Sequence, residues 1–368
     1  MAAVRRRRHI AVSVVIALGV LIVGAAPASA HTVSGQGSSD FRSRVLSVSP
    51  SVAGLRVRSV ELGSRIELTW TGPDQLVVVG YDREPYLRIG PDGVFRNRRS
   101  PASYLNQTRY GTATSVPPDA DPKANPEWVR IGSGRTALWH DHRTQWMGGP
   151  LPADVRGAPG QLHTVFPWTF QLLESGRPIA VNGVLEWVPS ASSRPWVGLI
   201  LALCLVGPLT AMTRRWAGAL LGLTGLVVVA DVVHAVGTGL AYVGSPAHRI
   251  LLVLGGSYYS IVAWALGAVG IRLLARRSLD GLFAAVFAGL VIGLFGGLTD
   301  LGTLVHSQVP FAFGVTTARL LVAVSIGGAA GVIGGAVVAF RRNRASDGVA
   351  TDTPSDTASR SDVAGAEA

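Results

Sequence analysis

The amino-acid sequence predicts an exported all-β sandwich, immunoglobulin-like or cupredoxin-like, followed by an all-α bundle of five transmembrane helices. Three observations predict it. The chain opens on a basic cluster and a short apolar run that closes on small residues, its first half is rich in short strand-like runs, and its second half carries five long apolar segments. With 48% hydrophobic and 15% charged residues over 368 positions, the chain is too apolar for one water-exposed domain of that size.

Residues 1–30 follow the three-part plan of a secretory signal peptide: Arg5 to Arg8, an apolar stretch from Ile10 to about Gly24, then Ala28-Ser29-Ala30. Cleavage there makes His31 the first residue of the mature protein. The formal charge of +11 does not point to nucleic acid, because four arginines leave with the signal peptide and others flank the apolar segments. The single cysteine, Cys204, lies in an apolar run, so no intrachain disulfide and no thiolate metal site is available to the exported domain.

Residues 31–194 form the predicted extracytoplasmic domain. Leu55–Leu62, Arg65–Trp70, Gln75–Tyr81, Tyr86–Ile89, Trp128–Ile131, Thr136–His142 and Phe166–Leu173 are rich in β-branched and aromatic residues and broken by turn residues, the pattern of strands. Pro91-Asp92-Gly93 reads as a hairpin turn, since proline presets one dihedral and glycine accepts a positive φ. The proline-rich stretch 100–127 reads as a long loop of the kind that often carries function. Tyr81, Asp82, Glu84 and Tyr86 form a polar cluster after a strand, a loop surface or a second site.

The transmembrane domain spans 195–340, with apolar segments at about 196–212, 217–237, 250–274, 281–304 and 316–340, each near the length that crosses roughly 30 Å of hydrocarbon. Arg214 and Arg215, Arg276 and Arg277, and Arg341, Arg342 and Arg344 mark alternate ends as cytoplasmic. An odd number of spans behind an exported domain ends in the cytoplasm, as the last cluster also says. The remaining 341–368 reads as a disordered cytoplasmic tail, too poor in large apolar residues to offset chain entropy. Gly327-Gly328 and Gly334-Gly335 in the last segment suit close helix packing.

Histidines carry the candidate chemistry. A terminal His31 offers an α-amine and an imidazole that chelate one ion, and His140 and His142 sit at i and i+2 at the end of a predicted strand, where both rings project to one side. A nitrogen-rich set without thiolate suits Cu(II). The metal ligands expected are therefore His31, His140 and His142, with Asp141 pointing away or orienting a ring. A second cluster is expected at the membrane side facing the exported domain: Asp231, His234, His248, Asp300 and His306, because ionisable residues in a membrane are expensive and mark function. Asp231 and His234 share a helix face at i and i+3.

With Ala28-Ser29-Ala30 before His31, a β-rich domain carrying His140 and His142, and a membrane segment downstream, the chain resembles bacterial copper-handling proteins whose mature chain begins with histidine. These are copper resistance protein C-like and related membrane-tethered secreted β-sandwiches, and the resemblance lies in architecture. It implies copper binding, transfer or sensing at the cell surface in copper homeostasis, with membrane lipid and a metal donor or acceptor protein as partners. Two other readings stand beside it: a metal-free membrane-anchored interaction or structural protein, and a copper-dependent oxidative enzyme of the polysaccharide-cleaving kind, similar in the terminal histidine alone. No Walker loop, dinucleotide fingerprint, Gly-x-Ser-x-Gly elbow or His-Glu-x-x-His helix is present.

Overall fold

The computed structural model describes residues 37–111 and 115–351, with side chains described as far as Arg344. The expected signal peptide, His31 and the end of the expected tail lie outside the described residues.

The first half is a mainly antiparallel β domain with ten strands among the described residues: β1 (Phe41–Ser49), β2 (Leu55–Val60), β3 (Arg65–Trp70), β4 (Leu76–Val79), β5 (Pro85–Gly90), β6 (Gly93–Asn97), β7 (Trp128–Gly132), β8 (Thr136–His140), β9 (His163–Glu174) and β10 (Arg177–Trp187). A seven-stranded sheet runs β1-β10-β9-β4-β5-β6-β7, and a three-stranded sheet runs β2-β3-β8. Alternation decides which side chains face inward. Ile66, Leu68 and Trp70 of β3 and Trp168, Phe170 and Leu172 of β9 enter one shared core with Leu76, Val78, Ile89 and Trp139. Each such side chain stabilises the fold by about 1.5–3 kcal/mol relative to exposure.

The expected hairpin joins β5 to β6, with Gly90 paired to Gly93 and Gly93 at φ 122, a conformation that only glycine takes without strain. β1 and β10 are strands that composition hides. In β10, Pro178, Asn182 and Gly183 read as breakers, yet Gly183 leaves the space that the Trp168 indole fills, where an added Cβ would lie 2.0 Å from the ring. The end of the expected strand 55–62 turns instead: Glu61 and Leu62 adopt φ 52 and 55, left-handed for non-glycine residues.

Behind the β domain, the described residues include five helices long and apolar enough to cross a membrane: Arg194–Ala211, Trp216–Leu240, Tyr258–Ala275, Asp280–Asp300 and Val315–Arg344. They are called the first to fifth spans. The third is shorter than the apolar run that announces it. A separate helix, Pro246–Gly256, precedes it, opened by the Ser245 hydroxyl accepting from the His248 N–H at 3.2 Å and ended at Gly255-Gly256-Ser257, where two poor helix formers meet. The expected tail is shorter as well, because the last helix continues to Thr351.

Glycines let the first and fifth spans touch. An added Cβ would lie 1.7 Å from the Gly331 carbonyl at Gly207 and 2.6 Å from the Ile200 carbonyl at Gly327. The turn after the first span meets the end of the fifth through Arg342, whose Nη1 donates to the Ala211 carbonyl at 2.6 Å.

Candidate functional site

The second span presents three successive turns to one seam. Asp231 is 1% exposed and accepts a hydrogen bond from Trp264 Nε1 of the third span at 2.7 Å. Its other oxygen lies against Gly296, where a Cβ would sit only 1.9 Å away. One turn on, His234 Nε2 meets Asp300 Oδ2 of the fourth span at 2.9 Å, and its ring stacks on Phe311 at 5.4 Å. One turn further, Gly237 gives room to Phe311, and its carbonyl accepts the Ala312 N–H at 2.9 Å.

The fourth span widens where Asp231 enters. Ile292–Gly297 is a π-helical segment, and Leu298–Asp300 tightens into a 3-10 turn. The π register turns Gly296 toward the second span and so admits a carboxylate that an unbroken helix of larger residues would exclude. Paired ionisable groups among apolar helices are costly to place and costly to break, so their presence needs a function or a strict packing role.

His306 is drawn elsewhere. Its Nδ1 meets Asp40 Oδ2 of the β domain at 2.8 Å, and Asp40 Oδ1 accepts the Ser307 N–H at 2.7 Å and the Ser190 hydroxyl at 3.0 Å. Beside this pair, Ser39 and Gln308 exchange two backbone hydrogen bonds of 2.9 and 2.8 Å. Arg319 of the fifth span donates to the carbonyls of Thr303 and His306 at 3.1 and 2.7 Å, holding the loop from the bundle side. The β domain is thus fastened to the loop between the fourth and fifth spans. Burial works to raise the Asp40 carboxyl, but the hydrogen bonds from His306, Ser307 and Ser190 outweigh it and hold the group below its usual range. The hydrogen bond to Asp40 raises His306 against the opposing effect of burial.

Of the five ionisable residues expected to cluster in the membrane half, Asp231, His234 and Asp300 therefore share the seam between the second and fourth spans. His306 belongs to the domain joint. His248 is exposed in the first turn of the separate helix, its ring against Gly244, and joins neither.

His140 and His142 do not project side by side, because β8 ends at His140 and a 3-10 turn begins at His142. His140 Nδ1 faces the Ser64 carbonyl at 2.9 Å, while His142 Nε2 faces the Thr108 carbonyl at 3.2 Å. Asp141 between them is fully buried, accepts Trp139 Nε1 at 3.1 Å and holds Arg143 in a two-pronged pair at 2.9 and 2.8 Å. Burial pushes His140 down to about 4 against the Ser64 hydrogen bond, and Arg65, His142 and Arg109 add positive charge nearby. Among the described residues, no three His, Cys, Asp or Glu side chains converge for a metal ion.

The polar cluster after β4 is a buried network. The Tyr81 hydroxyl donates to Asn106 Oδ1 and accepts the His142 N–H at 3.0 Å, and Glu84 accepts the Ser100 hydroxyl at 2.6 Å and the Asp82 N–H at 2.9 Å. It braces the 97–111 segment against the sheet.

Comparison with known proteins adds no relative. No family model matches the chain, and no curated protein or solved structure is similar to it at a significant level. Its chemistry is read from its own residues.

Sequence reasoning missed Trp264, Gly296, Phe311, Arg319 and Asp40. An aromatic or a glycine inside an apolar helix has no contrast with its neighbours, and Asp40 sits in an ordinary polar stretch. Arg319 alone carried a usable signal, as a charge one turn inside a predicted span.

Proposed function

We propose that the chain is a membrane-anchored module whose extracytoplasmic β-sandwich captures a ligand at the cell surface and is coupled to the bundle without needing a metal. The observation that carries this reading is the joint of Asp40 with His306 and Ser307, sewn further by the Ser39–Gln308 bridge. A domain that merely needed an anchor would require only its covalent linker. Here a buried carboxylate and a histidine bind it to the loop that follows Asp300, so a shift in the β domain pulls on the segment that carries the seam. Sidedness is supported by arginine: Arg214, Arg215, Arg276, Arg277 and Arg342 lie at bundle ends away from the loops that touch the β domain, and basic ends stay cytoplasmic.

The test places two spin labels on the purified chain, one at Arg177 on the exposed tip of β10 and one at Ala247 beside the bundle, and measures the distance distribution. The native chain should give one narrow distance and Asp40→Ala with His306→Ala a broad one. An equally narrow distribution in the double variant contradicts coupling through this joint.

A second reading, copper capture, is favoured by one observation. Because a carbonyl only accepts, the Ser64 and Thr108 carbonyls require a proton on His140 Nδ1 and His142 Nε2, so the neutral form of each ring would present its lone pair on the other nitrogen, the arrangement common in metal-ligating histidines. Arg65 and Arg109 near His140 work against a cation there. Copper binding through His31 predicts that one residue added before it weakens Cu(II) affinity at least tenfold, read by titration. Equal affinity in the extended chain excludes the terminal site. Affinity should also fall with pH, as amine and imidazole protonate below about 8 and 6.5.

A further inference from the structure

A cavity of about 440 Å³ opens in the β domain between β8 and the β5-β6-β7 end of the larger sheet, roofed by the helix Ala102–Leu105 and the residues after it. Its size is that of a small-molecule site. Two arginines line it, Arg65 and Arg96, together with Tyr86, Asn106 and Gln107, while Leu87 and Trp139 supply apolar wall. No aspartate or glutamate lines it among the described residues.

The arginines are poorly satisfied. Nε of both is buried without a hydrogen-bond partner, and while Arg65 has one long contact to Glu61, the Arg96 side chain makes no ion pair or hydrogen bond among the described residues. A buried Nε–H without an acceptor costs free energy that a bound anion returns. A guanidinium fork fits carboxylate and phosphate oxygens two at a time. Nearby Arg109 adds to the positive field of the two lining arginines.

We propose that this cavity is the capture site of the β domain and takes a small organic anion, a carboxylate or phosphate on a partly apolar body, with Arg96 as its principal partner and Arg65 as the second. The proposal rests on the reading of the β domain as a ligand-capturing module and names its ligand class. It also gives the site a route to the bundle. Arg65 Nη1 is shared with Glu61 Oε1 at 3.5 Å, and that same oxygen accepts the Val243 N–H, in the turn after the second span, at 3.3 Å. Glu61 is held in the left-handed region to make both contacts. An anion that draws Arg65 into the cavity takes it from Glu61, so the domain–bundle contact registers occupancy.

The experiment titrates the full chain in detergent with benzoate, phenyl phosphate and inorganic phosphate. Benzoate or phenyl phosphate should bind, and more tightly than inorganic phosphate, which lacks a body for the Leu87 and Trp139 wall. Arg96→Ala should weaken binding at least tenfold and Arg96→Lys less, whereas Arg88→Ala, outside the cavity and stacked on Phe95, should leave it unchanged. Near-ultraviolet circular dichroism identical to native certifies each variant's fold. Absence of binding by either aromatic anion, or affinity unaffected by Arg96→Ala in a folded variant, overturns the site. If binding fails while the spin-label distance still depends on Asp40 and His306, the cavity assignment alone is lost. If both fail, the capture reading goes with it.

Discussion

Gly296 lacks a side chain where Asp231 needs the space, and this fit can be tested by filling it. Gly296→Ala places a Cβ 1.9 Å from the carboxylate, so the chain should lose about 1–3 kcal/mol, read as a lower unfolding midpoint in detergent. The loss should shrink when Asp231→Ala is added, because the two residues touch and their effects do not add. A cost that is the same in both backgrounds would mean that the carboxylate is not what the glycine accommodates. His234→Ala makes a second case: it leaves Asp300 without its partner and should cost about 2 kcal/mol, below the full price of a buried broken pair because Asp300 is 19% exposed. His234 and Asp300 were legible as candidates because a charge-bearing residue stands out in an apolar run. Their partners were not, since which turn of which helix they meet depends on packing that no single segment encodes.

Between elements, the joint of Asp40, just before β1, with the loop after the fourth span is sensitive to pH, and its sign follows from the two shifts. The lowered pKa of Asp40 stabilises the folded joint above the ordinary carboxylate range and is lost as pH falls through the lowered value. The raised pKa of His306 stabilises it fully below about 6.5, the ordinary imidazole value, and is lost as pH rises through the raised value. The joint is therefore tightest in mild acid and weaker at pH 9. His306 is 38% exposed, so solvent screening limits the change to about 0.5–1 kcal/mol. Unfolding midpoints at pH 5.5 and 9 in native chain and His306→Asn measure it, and a native pH response that the variant reproduces in full would assign it to other groups. Strands were legible where alternation was strong, as in β3. They were hidden in β10, where Gly183 and Pro178 mimic a turn, and at the end of β2, where Glu61 leaves the sheet to face Arg65 and Val243. The span count was legible from length and apolarity, but the break at Ser257 was not, because Gly255 and Gly256 resemble the many glycines that pack helices elsewhere in the bundle.

For the whole molecule, the arrangement is a β domain seated on one end of a five-helix bundle, with two polar threads crossing from one to the other. One runs from Asp40 through His306 to Arg319, and the other from Arg65 through Glu61 to the Val243 backbone. Both lie at the end where the Asp231–His234–Asp300 seam also lies, as the proposed coupling of the β domain to the bundle requires. Neither thread was legible in the sequence, because each joins residues more than 180 positions apart or passes through backbone groups that have no sequence signature. The seating of the domain is most directly tested at Ser39 and Gln308. They form a hydrogen-bonded antiparallel pair, a geometry that places Cα atoms about 5.5 Å apart, within the span of a disulfide. In a Cys204→Ala background, Ser39→Cys with Gln308→Cys should oxidise to an intrachain disulfide in growing cells, because the two residues are paired and the proposed topology places them outside the cytoplasm. Two thiols that stay reduced and open to alkylation in the folded, membrane-inserted chain would contradict it.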